Sequence, residues 1–242
     1  MRLALISDIH ANDAALDAVL KKIRQIGADQ IICLGDVATL GPDPRPVLDR
    51  LKNLNCDCIL GNHDAFMLDP ALIHSYTDNP LIIEAIHWGI DQLTRADLDF
   101  LRTFKTQVDF PLGDSAGLCA FHGSPDSHLD NILAYTLPDD LDQMLANTNA
   151  QILACGHTHI QMLRQHRGRL IVNPGSVGLP FKEAVTTNTP ETLDHAEYAV
   201  LEVKNGDTAV SLHRIPFDKM SFQQSIQGCK GPIQVLFSLQ VK

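Results

Sequence analysis

The sequence predicts an α/β protein in which a parallel sheet is covered by helices. Three observations carry that reading. Short apolar runs alternate with stretches of helical period over residues 1–64, the pattern of a βαβαβ unit. The composition, 45 % hydrophobic and 20 % charged, is that of a globular chain and excludes disorder and fibres. Every strong polar cluster stands directly behind a predicted strand.

The elements follow in order. Residues 2–7 read as a buried strand, stopped at Asp8-Ile9-His10. Asn12 suits the N-cap of a helix whose apolar residues Leu16, Val19, Leu20, Ile23 and Ile26 keep helical period, and Gly27 ends it. A second strand, 30–34, stops at Gly35-Asp36. After the turn Gly41-Pro42-Asp43-Pro44, residues Val47, Leu48, Leu51 and Leu54 mark a short helix. A third strand, 56–60, stops at Gly61-Asn62-His63-Asp64. Residues 79–104 read as two helices, the first opened by Pro80 and the second by a Thr94-x-x-Asp97 capping box. Short strands at 118–121 and 151–155 end at His122-Gly123 and Gly156-His157-Thr158-His159. Hairpins are predicted at 162–172, ahead of Asn173-Pro174-Gly175-Ser176, and at 197–215 about Asn205-Gly206-Asp207. The loop 181–195 reads as polar and exposed, and 234–241 as either a strand or a last helix.

Composition narrows the function. Lys and Arg number 19 against 29 Asp and Glu, a net charge of −10, the wrong balance for gripping long nucleic acid through its phosphates. No apolar run approaches the length of a membrane span, and the N-terminal run is too short for a secretory signal. The cysteines Cys33, Cys58, Cys119 and Cys155 sit in or beside apolar runs and read as core packing, as expected of a reduced, cytoplasmic protein. Cys56-Asp57-Cys58 lacks the second cysteine pair that a tetrahedral thiolate site needs.

In an open α/β sheet, loops at the carboxyl ends of strands converge on one crevice. That brings together Asp8, His10, Asp36, Asn62, His63, His122, His157 and His159. Oxygen and imidazole donors without a thiolate suit a divalent transition metal: Mn, Fe, Ni, Co or Zn. The ligands exceed the needs of one tetrahedral ion, so two ions are the natural reading, with one carboxylate shared. Two such ions outweigh two aspartates and make a cationic spot in an acidic protein, fit for phosphate. Taken singly, each residue has a bland alternative as a cap, a turn residue or a buried imidazole. Five blocks behind five strands do not.

Those blocks, in that order, resemble the calcineurin-like metallophosphoesterases, and Asn173-Pro174-Gly175-Ser176 resembles a further block of their small bacterial and archaeal phosphodiesterase branch. The resemblance spans residues 1 to about 215. It implies a four-layer αββα sandwich, two mixed sheets flanked by helices. It also implies one metal on Asp8, His10, Asp36 and His159, and a second on Asp36, Asn62, His122 and His157. Catalysis would fall to His63, protonating the departing oxygen, with Asp64 tuning or orienting it. The nucleophile would be a hydroxide bridging the metals, in line with the leaving group.

A phosphatase-type Asp-Arg-Gly is absent after Asp36, where Val37-Ala38-Thr39-Leu40 stands. Gly41-Pro42-Asp43-Pro44 matches the phosphodiesterase branch, although Leu40 stands where that branch often has Tyr. The expectation is therefore a hydrolase of small phosphodiesters. The alternatives are a phosphomonoesterase, a dinucleoside polyphosphate hydrolase, or a scaffold without catalysis; the intact ligand set disfavours the last. One domain, 1–242, is expected, because ligands spread from residue 8 to 159 need one shared core. No membrane partner is expected, and exposed hairpins and the apolar tail permit a homo-oligomer. Of the 11 histidines, His74, His87, His128, His166, His195 and His213 read as ordinary, with His128 the one placed to line a cleft.

Overall fold

The computed structural model describes residues 1–54, 56–112, 117–185 and 190–238. Strand β1 (Arg2–Ile6) leads into helix α1 (Asp13–Ile26), β2 (Gln30–Cys33), α2 (Pro44–Leu54) and β3 (Asp57–Cys58). Helices α3 (Asn62–Leu68), α4 (Ile73–Tyr76), α5 (Pro80–Asp91) and α6 (Arg95–Leu101) follow. Then come β4 (Gln107–Pro111), β5 (Gly117–Phe121), α7 (Pro138–Met144), β6 (Ile152–Ala154), β7 (Met162–His166) and β8 (Arg169–Asn173). The chain continues through β9 (Ala196–Lys204), β10 (Asp207–Ile215), α8 (Lys219–Gly228) and α9 (Pro232–Ser238).

Two five-stranded sheets result, in the orders β10-β9-β1-β2-β3 and β4-β5-β6-β8-β7. The predicted βαβαβ unit is present: β1, β2 and β3 are parallel, with Ile6 opposite Cys33 and Cys33 opposite Cys58. Both sheets are mixed, because β9 joins β1 antiparallel and β4 joins β5 antiparallel.

Side-chain alternation stacks the layers. Leu3 and Leu5 of β1 meet Ile32, Leu34 and Ile59 and, from the second sheet, Leu118, Ala120, Ile152, Ala154 and Val172. That cluster is the core between the sheets. Ala4 and Ile6 point the other way, into Leu16, Val19, Leu20 and Ile23 of α1 and Val47, Leu48 and Leu51 of α2. On the far side, Cys119, Leu153 and Ile171 pack against Leu141 of α7. The order helix, sheet, sheet, helix is the predicted sandwich. Each leucine buried between the sheets contributes roughly 2 kcal/mol.

Local signals behave as their chemistry requires. Asn12 Oδ1 accepts from Ala15 N at the start of α1, and Gly27 closes that helix at φ 65°. Thr94 and Asp97 form the capping box of α6. The tail, left open between strand and helix, forms α8 and α9; residues 239–242 lie outside the described residues. Its Ile233, Leu236 and Phe237 pack against Ala85 of α5 and Leu179. Part of the polar loop, 186–189, also lies outside them, while Phe181 at its start pairs with Thr192 and is half-buried. No helix among the described residues is long and apolar enough to cross a membrane.

Candidate metal centre

Two groups of side chains meet at the carboxyl ends of the central strands. Asp8, His10 and His159 form one, and Asp36, His122 and His157 the other, each at the mutual spacing of metal ligands. In the first, His10 Nε2 lies 3.0 Å from His159 Nε2, and His159 Nε2 lies 3.3 Å from Asp8 Oδ1. In the second, His122 Nε2 lies 3.4 Å from Asp36 Oδ2. Asn62 Oδ1 joins it, 3.1 Å from His122 Nε2 and 2.9 Å from His157 Nδ1. Asp36 Oδ2 is also 3.9 Å from His10 Nε2, so one carboxylate oxygen faces both groups.

The surroundings suit cations. His122 Nδ1 donates to Leu34 O at 2.6 Å and His159 Nδ1 to Leu179 O at 2.7 Å. Those bonds fix Nδ1 as a protonated nitrogen and turn each Nε2 toward its group, where a metal would take the place of a proton. Asp8 Oδ1 is buried without a hydrogen-bond partner, and such an orphaned acceptor calls for a ligand. Four imidazole nitrogens, one amide oxygen and two carboxylates turned on one another fit divalent transition ions.

Burial and neighbouring charge set the protonation. Burial, with His159 next, lowers His10 to about 3. Burial, with His122 next, lowers His157 to about 3. Both are neutral at pH 7, the form that binds metal. At His122 burial is opposed and outweighed by the Asp36 carboxylate, which raises it to about 10. Burial opposes ionisation of Asp8 and Asp36, yet the surrounding imidazoles hold both below the usual carboxylate range.

The blocks lock together through their backbones. Asp8 N donates to Gly35 O at 2.9 Å and His10 N to Asp36 O at 3.0 Å. Ser176 Oγ donates to Asp8 O at 2.6 Å, and Asn173 Nδ2 to Gly156 O at 2.8 Å. The Asn-Pro-Gly-Ser block therefore braces the loops that carry Asp8, His157 and His159.

His63, the first residue after Asn62 in α3, is buried beside the first group, its ring 5.1 Å from that of His10. Its Nδ1 has no partner, and burial lowers its pKa. The structure gives Asp64 other work than orienting His63. Its carboxylate accepts from Asp36 N at 2.7 Å, Val37 N at 3.0 Å and Gly61 N at 3.0 Å. Burial, with the Asp36 charge next, raises Asp64 to about 7.

Two aromatic residues were missed in the sequence. Phe181 stacks on His159 with centroids 4.1 Å apart, and Tyr76, 44 % exposed, stands edge-on to His63 at 5.6 Å. No spacing rule links either to a motif. His128 is half-buried, and burial and then the His122 charge lower its pKa. His166 and His195 pair elsewhere, with Asp142 and Glu197.

A mixed αββα sandwich with two His/Asp groups at its strand ends fits a metal-dependent phosphoester hydrolase. Residues 1–206 match the calcineurin-like phosphoesterase superfamily domain, and the chain belongs to that superfamily. It is 27 % identical over 241 residues to the uncharacterized protein MJ0912 of Methanocaldococcus jannaschii, covering 93 % of this chain and 92 % of the relative. It is 28 % identical over 190 residues to phosphodiesterase YfcE of Escherichia coli, covering 74 % and 81 %. Among solved structures it resembles a metallophosphoesterase from Sphaerobacter thermophilus (TM-score 0.72, 24 % identity, 98 % of each chain). It also resembles the hypothetical protein PH1004 of Pyrococcus horikoshii (TM-score 0.79, 20 % identity, 97 % of each chain).

Proposed function

We propose that this chain is a dinuclear phosphoesterase that hydrolyses small phosphodiesters. The observation that carries the reading is Asp36 Oδ2, poised between His10 and His122. Asp8, His10, Asp36 and His159 would hold one ion; Asp36, Asn62, His122 and His157 would hold the other. Bound there, two divalent ions supply Lewis acidity and an activated oxygen nucleophile for in-line displacement at phosphorus. His63 would protonate the departing oxygen. Asp64 acts by positioning, tying the Asp36 loop to the Gly61 turn.

Diester preference is supported by the similarity to a protein named phosphodiesterase and by the absence of an Arg after Asp36 that would grip a dianionic monoester. The net charge of −10 disfavours long nucleic acid. We place the chain in the cytoplasm as one domain, free to form a homo-oligomer. The test is turnover of bis(p-nitrophenyl) phosphate by protein stripped of metal and reloaded with Mn²⁺, Ni²⁺ or Co²⁺, against p-nitrophenyl phosphate. Metal-dependent diester turnover exceeding monoester turnover is expected. Folded protein that binds these ions without hydrolysing either ester would overturn the reading.

A further inference from the structure

Three cysteine thiols meet on the helix-facing side of the first sheet. The parallel register sets Cys33, the last residue of β2, opposite Cys58, the last of β3. Cys56 Sγ lies 3.7 Å from Cys58 Sγ, and the Cys58 thiol also donates to Cys56 O at 3.8 Å. Only Cys56-x-Cys58 was visible in the sequence; the sheet adds the third sulfur. Among the described residues, only the two His/Asp groups have the mutual spacing of a metal site. The sulfurs therefore stand in a row with Cys58 in the middle, rather than in a closed ligand triangle.

The row is graded in access and acidity. Cys33 is fully buried, Cys58 is 7 % exposed, and Cys56 at the outer end is half-buried. The contact with Cys58 holds the Cys56 thiol below its ordinary value, although burial opposes it. The neighbouring Cys33 and Cys56 thiols, with burial, push Cys58 far up. An accessible thiol that ionises readily, touching a second that keeps its proton, is the arrangement of an attacking and a resolving cysteine. Covalent reach allows the bond. Two residues of chain span at most about 7 Å between Cα atoms, the upper end of what a disulfide bridges.

We propose that Cys56 and Cys58 form a dithiol site that reacts with hydroperoxides. The Cys56 thiolate attacks the outer oxygen of the peroxide. The O–O bond breaks, and the leaving oxygen departs as water or an alcohol after taking a proton. Cys56 is left as a sulfenic acid. Cys58 Sγ attacks that sulfur, the S–O bond breaks, and water leaves with the sulfenic oxygen and the Cys58 proton. One hydroperoxide is reduced by two electrons and one Cys56–Cys58 disulfide is formed. A dithiol reductant restores the pair. The site lies four residues ahead of Asn62, on the segment that delivers it and His63.

The test uses the full chain and hydrogen peroxide, read by mass spectrometry of peptides and by free-thiol counts, so it does not depend on hydrolase activity. The wild type should lose two thiols per chain, with a reducible link between Cys56 and Cys58. Cys58→Ser should instead accumulate a sulfenic acid at Cys56, captured by a 1,3-dicarbonyl trap. Cys56→Ser should slow thiol loss roughly tenfold or more. Circular dichroism of each variant shows whether it folds. Six thiols that survive a tenfold peroxide excess, a first sulfenic acid at another cysteine, or a Cys33–Cys58 link in place of Cys56–Cys58 would each overturn the proposal.

Discussion

Gly61→Ala tests how the Asp36 carboxylate is held. Gly61 precedes Asn62 at the start of α3, with φ −83°, so its backbone makes no demand for glycine. The demand is for space. A Cβ at this position would lie 2.1 Å from Asp36 Oδ1, 2.6 Å from Asp36 N and 2.8 Å from Asp36 Cγ. Ordinary contact begins near 3.4 Å, so the carboxylate must retreat by about 1.3 Å. Rotating the side chain does not relieve the clash with Asp36 N, so the loop moves as well. Metal–ligand distances tolerate only about 0.2 Å, and the shared ligand is lost. Overpacking of this size costs about 1–3 kcal/mol, which leaves the protein folded. Calorimetric titration of metal-free protein with Mn²⁺ should show affinity reduced by roughly a hundredfold or more, with a modest drop in melting temperature. Gly228→Ala, with nothing within 4 Å of its added carbon, is the control. Wild-type metal affinity in Gly61→Ala would refute the reasoning.

Three more tests follow from the same contacts. His63→Ala should keep both ions in the same titration yet lose about 10²–10⁴-fold in turnover; loss of metal would make His63 a ligand. Asp64→Ala strands the buried N–H groups of Asp36, Val37 and Gly61, at about 1–3 kcal/mol each. The urea midpoint should fall sharply, and an unchanged midpoint would contradict the positioning role. At Asp97, burial is outweighed by Lys52 and Thr94, which hold it at about 2 against 3.8 unfolded. A lowered carboxylate stabilises above the unfolded value and loses that contribution as pH falls through the folded one. The melting-temperature gap between wild type and Asp97→Asn should therefore be full above about pH 4 and close toward pH 2; a gap independent of pH would sink this assignment.

Strands, helices and ligand blocks were legible wherever one local rule governed them. Leu3 and Leu5 alternate with Ala4 and Ile6 because both faces of β1 are buried, and Asn12 caps α1 because its side chain reaches Ala15 N. Other features depend on partners distant in sequence. Strand β4 exists through its pairing with β5, and nothing in its own residues separates it from a loop. Phe181 reaches His159 because Phe181 N donates to His159 O, a long-range contact with no periodic signature. Asp64 stands next to His63 in sequence, which suggested a shared task. In α3 its side chain instead turns back to the amides at the end of β2. Those contacts carry no signature in the sequence, and the sheet register that joins Cys33 to Cys58 was invisible for the same reason.

The backbone at the ligands explains why the motif takes the form it does. Asp8, His10, Asp36, His157 and His159 all have φ between 45° and 67°, the left-handed region that side chains avoid. Such placement costs about 1–2 kcal/mol per residue, which over these residues is a large part of a typical net stability of about 5–15 kcal/mol. A strand directs its side chains above and below the sheet, never along its axis. Asp8, Asp36 and His157 stand a few residues beyond strand ends, and their left-handed conformation turns the chain sharply there. Glycine would relieve the strain and remove the ligand. The strain is therefore held by the bonds from Asp8 N to Gly35 O, His10 N to Asp36 O and Ala11 N to Val37 O, all buried. Each loop's conformation is set by its neighbour's carbonyls, so a change at one block propagates to the next. Asp36 is braced by Asp64 and Gly61 as well, so the carboxylate that faces both groups is held from several sides.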